Sequence, residues 1–130
     1  HGALQRSYHL LRQAALRHEV HLVALAPPGT STDVAALRAD LGAGLASVSL
    51  VPLSAGPLRV RQVLAAARGV AGPSYWERQF THPDAARAVA ALRARHRFDV
   101  AHVDTVFLAP YLPALEGVPL VLNHHNVESH

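Results

Sequence analysis

Short apolar runs alternate along the chain with longer segments whose apolar positions recur at helical spacing. The apolar runs have the length and the flanking residues of strands, and they cover residues 20–26, 46–53, 99–103 and 118–122. Helical spacing is found in residues 3–17, 33–41, 58–68 and 84–96. Residues 105–115 are predicted to be a helical connection that two prolines interrupt. Helices that alternate with short apolar strands predict an α/β fold, a Rossmann-like parallel sheet with helices on both faces.

The residues that flank these segments predict where the helices begin. Residues 30–32 offer caps for the second helix, and Thr81 and Asp84, with Pro83 in the first turn, are expected to open the last one. The nearly continuous apolar run of residues 20–26 predicts a strand that is covered on both faces.

Both ends of the pattern predict that the domain continues beyond the chain. In doubly wound folds a central strand usually precedes the glycine turn and the first helix. Gly2 and the first helix are present here without that strand. The chain also stops after its last predicted strand, where a covering helix is expected. Residues 1–130 are therefore predicted to be one partial domain, and the alternative is a four-stranded variant of the fold.

Composition narrows the classes of protein that are compatible with this pattern. The chain has 130 residues, of which 50% are hydrophobic and 16% charged, as expected for one folded domain. It has no cysteine, which excludes disulfides, thiolate metal sites and cysteine nucleophiles. Its apolar runs are far shorter than the roughly 18–20 residues that cross a bilayer. We expect a cytoplasmic protein, and a net charge of +3 gives little reason to expect a nucleic-acid partner.

Candidate chemistry lies where the strands end, because parallel sheets bind ligands beyond the carboxyl ends of their strands. His102 and Asp104 alternate at the end of the third strand and are expected to share a face that binds a polyol or phosphate. The alternative for Asp104 is an ordinary helix cap together with Thr105. Gly2 adds a helix start, which can hold an anion.

The end of the last strand carries the densest polar cluster, in the sequence NHHNVESH. His124, His125, Asn126 and Glu128 are candidates for a substrate site, and the alternatives are solvent-facing residues or a metal site. Adjacent histidines on an extended chain point to opposite faces, so the spacing does not favour a metal. We predict no metal and no cofactor.

The chain lacks the usual sequence motifs of several enzyme classes. The chain contains no G-x-S-x-G, no Walker A and no strand-linked G-x-G-x-x-G sequence. The helix of residues 58–68 has a basic outer face that includes Arg59, Arg61 and Arg68. Such a face is often only solvated, but it can also contact a membrane surface at the periphery or bind an anionic ligand. A non-enzymatic Rossmann-like module that uses this helix is therefore the second hypothesis.

Two long segments resemble the amino-terminal domain of family-4-type glycosyltransferases, which have the two-domain GT-B architecture. They are HGALQRSYHLLRQAALRHEVHLVAL and FDVAHVDTVFLAPYLPALEGVPLVLNHHNVESH. The resemblance is greatest to bacterial sugar transferases of polysaccharide pathways. It implies a retaining, metal-independent transfer of sugar from a nucleotide-sugar donor to a sugar or lipid-linked acceptor. The nucleotide would bind mainly to a carboxyl-terminal domain, so these residues alone are expected to be inactive.

The resemblance also implies roles for individual residues. The glycine loop of the family matches His1-Gly2, so only Gly2 is retained beside the donor diphosphate. The histidine that contacts the transferred sugar matches His125, which becomes the candidate catalytic residue. Asp104 matches a polar position that faces the cleft. Substrate-binding neighbours of His125 are expected to be His124, Asn126 and Glu128.

Overall fold

A computed structural model of the protein describes residues 2–30, 33–53 and 80–123. In chain order the helices and strands are α1 (Gly2–Ala15), β1 (Val20–Ala26), α2 (Val34–Leu41), β2 (Leu45–Pro52), α3 (Pro83–Arg95), β3 (Ala101–Val103), a 3₁₀ helix (Val106–Leu115) and β4 (Leu120–Leu122). This order confirms the predicted mixture of helices and short strands. The predicted helix of residues 58–68 lies outside the described residues.

The described strands form two parallel pairs, β1 with β2 and β3 with β4. Parallel pairing agrees with the α/β prediction. Within the described residues, two small sheets are seen where a single sheet was expected. The prediction that β1 is covered on both faces is wrong for most of the strand, since only its last residue, Ala26, is fully buried. The residues of β4 are all exposed, and Leu122 retains 53% of its surface.

The helix starts use different caps from those predicted. Asp33 caps α2 by accepting a hydrogen bond from the Ala36 amide at 3.0 Å, in place of residues 30–32. His82 caps α3, and its Nδ1 accepts from the Asp84 amide at 3.2 Å, so the prediction of Thr81 was wrong. Both caps use the residue directly before the first helical one, where a side-chain acceptor reaches the unpaired amides best.

The predicted helical connection is a 3₁₀ helix whose first turn is capped by Thr105. Pro110 and Pro113 lie inside it. Proline lacks the amide proton and clashes with the preceding turn of an α-helix, so the tighter 3₁₀ geometry is adopted instead.

A small core joins α3 to the sheet and to the 3₁₀ helix. Val51 of β2, Ala85 of α3 and Tyr111 of the 3₁₀ helix are buried together. The Tyr111 hydroxyl donates to the Phe80 carbonyl at 2.6 Å and accepts from the His82 amide at 2.8 Å. Tyr111 therefore fixes the entry to α3 by hydrogen bonds as well as by packing.

None of the helices in the described part of the chain combines the length and the apolar character that spanning a membrane requires.

Candidate functional site at the carboxyl ends of β3 and β4

Three polar side chains from distant parts of the sequence meet where β3 and β4 end. Asp104 follows β3 directly, and Asn123 follows β4. The Asn123 Nδ2 donates to Asp104 Oδ1 at 2.8 Å, and the Ser7 hydroxyl of α1 donates to Asp104 Oδ2. All three residues are partly buried. We call Ser7, Asp104 and Asn123 the carboxyl-edge cluster.

Pairing of the two strands brings Asp104 and Asn123 together. Val103 is in register with Leu122, and the Asn123 amide donates to the Val103 carbonyl at 2.8 Å. The ladder thus continues one residue beyond β4 and holds Asn123 beside the residue that follows β3. Because the strands are parallel, both residues leave the sheet at the same edge, which is where such sheets bind ligands.

Helix α1 approaches this edge with its first half. Its other end lies near the start of β2, because the Ala15 carbonyl oxygen is in close contact with Gly44. Ser7 lies five residues after Gly2, which is about 7.5 Å along a helix at 1.5 Å per residue. Gly2 is the first residue of α1, so the helix begins on the side of Ser7 that is remote from Ala15. This direction agrees with the prediction that the helix start belongs to the carboxyl edge, and the role of Gly2 stays a prediction.

The helix cap that was the alternative for Asp104 is formed by the side chain of Thr105, and the binding role of Asp104 stays a prediction. The side chain of Thr105 caps the 3₁₀ helix, because its hydroxyl accepts from the Phe107 amide at 3.4 Å. The Asp104 carboxylate instead accepts hydrogen bonds from two other elements. A carboxylate with a donor on each oxygen is held in a fixed orientation.

His102, which was expected to share a face with Asp104, is exposed on β3, whereas Asp104 is half-buried. His124, His125, Asn126 and Glu128 lie outside the described residues, as do Arg59, Arg61 and Arg68. Asn123, the last described residue of this segment, is the direct neighbour of His124 in the chain.

The sequence analysis missed Ser7 as a member of the site. Ser7 lies in an amphipathic helix at a sequence separation of 97 from Asp104, and its position relative to the apolar residues of that helix carries no mark of a ligand site. Asn123 had a recognisable signal, since it follows a predicted strand.

Two further ionisable pairs lie on the helices, outside the carboxyl-edge cluster. The Tyr8 hydroxyl donates to Asp40 Oδ2 at 2.6 Å, and this hydrogen bond raises the pKa of Tyr8. The hydrogen bond from the Arg87 guanidinium lowers the pKa of Asp84 in the first turn of α3. Both pairs are exposed; the first links α1 to α2, and the second lies within α3.

Comparison with known proteins returned no matching family model, no matching characterised protein and no matching solved structure. The function therefore has to be argued from the residues and the geometry.

Proposed function

We propose that this chain is the acceptor-side, amino-terminal Rossmann-like domain of a retaining GT-B glycosyltransferase that acts in polysaccharide or glycolipid biosynthesis. The observation that carries the proposal is the carboxyl-edge cluster, in which Asp104 is held by Ser7 and Asn123 at the ligand-binding edge of parallel strands. The resemblance of the two sequence segments to glycosyltransferases indicates that the ligand of this cluster is a sugar.

The cluster has the chemistry of a polyol site. Carboxylate, amide and hydroxyl groups are the donors and acceptors that recognise sugar hydroxyls, and here they are held in place by one another. Sugars are recognised best by side chains that are already oriented, since fewer rotamers have to be fixed on binding. Asp104 is the central acceptor of the proposed site.

Sugar transfer also requires stabilisation of the leaving diphosphate and of the positively charged sugar centre. Backbone amides at the start of α1, near Gly2, suit the diphosphate, because a helix start carries a partial positive charge. An imidazole at His125, two residues after Asn123, suits the transferred sugar. Preorganised dipoles of this kind act on the charge that develops in the transition state.

The second domain implied by the resemblance would supply most of the nucleotide site. A donor clamped between two domains reacts because its anomeric carbon is held close to the acceptor hydroxyl. We therefore expect the 130 residues alone to bind ligand weakly and to transfer no sugar.

The test measures sugar transfer from a panel of nucleotide sugars by the whole polypeptide that the gene encodes. The wild-type polypeptide is compared with two histidine variants. His125→Ala should lower kcat more than tenfold, which corresponds to about 1.4 kcal/mol of transition-state stabilisation. His9→Ala is the matched control, because His9 is an exposed histidine on α1, and it should leave kcat unchanged. Equal kinetics for His125→Ala and the control would remove His125 from the site. Absence of transfer from every donor would contradict the proposed activity.

The rival hypothesis, an anion-binding module that uses the basic helix, predicts a different dependence. Replacing Arg59, Arg61 and Arg68 with glutamate would then abolish ligand or partner binding. The glycosyltransferase proposal expects these replacements to change transfer to a soluble acceptor less than twofold, since the helix is not part of the proposed site.

A further inference from the structure

A second cluster of polar side chains lies at the opposite edge of the molecule, where β1 begins. Glu19 directly precedes β1, His21 is its second residue, and His96 follows the last residue of α3. The three come together because the end of α3 packs beside the start of β1, which places the ring centroids of His21 and His96 4.4 Å apart. We call Glu19, His21 and His96 the amino-edge cluster.

The separations within this cluster are close to those of a metal site. One possible ligand atom from each residue lies within 4.8 Å of the other two, and Glu19 Oε1 is 3.1 Å from His21 Nε2. Zinc binds imidazole nitrogen and carboxylate oxygen at about 2.0–2.2 Å in tetrahedral geometry, so its ligand atoms are roughly 3.3 Å apart. The Glu19 and His21 atoms already have this spacing. The His96 ring has to move by about 1.5 Å at most to reach it.

The environment of His21 favours coordination through Nε2. Its Nδ1 is 2.7 Å from the Ser47 hydroxyl, and the register of β1 with β2 places Ser47 opposite His21. When Nε2 binds a metal, Nδ1 carries the proton and can donate it to Ser47, an arrangement that orients metal-binding histidines in many proteins. Only 7% of the His21 side chain is exposed, and the ring of Phe98 packs edge-on against it.

The other two ligands complement this fixed imidazole. Glu19 has 71% of its side chain exposed and His96 is exposed, so both can adjust to an ion without disturbing the core. Because Glu19 and His96 are exposed, solvent can supply the remaining ligands.

We propose that Glu19, His21 and His96 bind one divalent transition-metal ion, with zinc as the best-suited ion, and that solvent water completes its coordination. Two imidazoles and a carboxylate suit zinc better than the harder ions magnesium and calcium, which prefer all-oxygen sites. Bound metal links the start of β1 to the end of α3. The sequence predicted no metal from the spacing of His124 and His125, whereas His21 and His96 are far apart in the chain and only the fold brings them together.

The proposal does not depend on the glycosyltransferase function, and zinc binding by the 130-residue chain tests it directly. Isothermal titration calorimetry with Zn²⁺ should show one site per chain whose affinity for zinc is higher than that of any other histidine in the chain. His96→Ala and Glu19→Gln should each weaken that site at least tenfold. His9→Ala removes another exposed histidine as the matched control, and it should change the affinity less than twofold.

Two additional variants examine the buried part of the site. His21→Ala should abolish the strong site, and Ser47→Ala should weaken it about 10- to 100-fold, the range found for groups that orient a metal ligand. Circular dichroism of each variant verifies folding, and the exposed substitutions at Glu19 and His96 decide the matter if His21→Ala does not fold. The proposal would be overturned if the wild-type protein did not bind one equivalent of zinc per chain. Zinc affinity that survives His96→Ala and Glu19→Gln unchanged would overturn it as well.

Discussion

At the scale of single residues, Asp104 connects three elements that are not neighbours in the sequence. Its carboxylate accepts from Ser7 of α1 and from Asn123 after β4, while its backbone continues from β3. A partly buried carboxylate with a donor on each oxygen contributes to stability and is also held in one orientation. Both consequences can be measured.

Asp104→Ala should lower the free energy of unfolding by about 1–3 kcal/mol, because it leaves the partly buried donors of Ser7 and Asn123 with one acceptor fewer. Asp104→Asn should cost less, since the amide oxygen still accepts one hydrogen bond. Urea unfolding measures both changes. Asp99→Ala, at an exposed aspartate close to β3, is the control and should change the stability by less than about 0.5 kcal/mol. Equal stabilities of Asp104→Ala and Asp99→Ala would show that the cluster does not hold these elements together.

How far the sequence predicted individual residues depended on whether the signal was local. Asp104 was a candidate because it follows an apolar run, and this position needs no knowledge of the fold. The position of Ser7 in the carboxyl-edge cluster depends on which helix packs beside which strand. The contact of His21 with His96 depends on the same packing. No pattern within one segment contains that information.

At the scale of elements, α1 is fixed by a close approach of two backbones. A Cβ atom at Gly44 would overlap the carbonyl oxygen of Ala15 and would lie 2.8 Å from that of His18. The Gly44 carbonyl also accepts from the Val20 amide at 2.8 Å, at the start of β1. The turn before β2 therefore sets the spacing between α1 and the first strand pair.

Gly44→Ala should destabilise the protein by more than about 2 kcal/mol, because backbone atoms rather than a flexible side chain have to move. Gly29→Ala provides the comparison. Gly29 has a φ of 80° with open space around its Cβ position. An alanine there should therefore lower the free energy of unfolding only by the strain of left-handed backbone, about 1–2 kcal/mol. Thermal and urea unfolding of the two variants give the ranking. A Gly44→Ala variant as stable as wild type would contradict the described packing of α1.

The elements themselves were largely predictable, and their boundaries were less so. The apolar runs gave all four described strands, because hydrophobic periodicity is a local property. Residues 30–32 and Thr81 were predicted as caps, and Asp33 and His82 were missed. Several neighbouring side chains can cap a helix, and tertiary packing such as the Tyr111 contacts with Phe80 and His82 selects the one that is used.

At the scale of the whole molecule, the two edges of the strand pairs carry different chemistry. The carboxyl-edge cluster has hydroxyl, amide and carboxylate groups, and the amino-edge cluster has two imidazoles and a carboxylate. We propose that sugar binds at the first and a metal ion at the second. The pairing of the strands could not be predicted from the sequence, because the alternation of helices and strands does not determine which strands become neighbours.

A sugar site at the carboxyl edge can be tested by following the amide chemical shifts of the ¹⁵N-labelled chain during titration with a hexose 1-phosphate. We expect saturable shifts at Asp104, Asn123 and His125. Asp104→Asn should weaken this binding at least fivefold, and Asp99→Asn should leave it unchanged. Shifts confined to Arg59, Arg61 and Arg68, or no saturable shift at all, would show that no sugar binds at this edge.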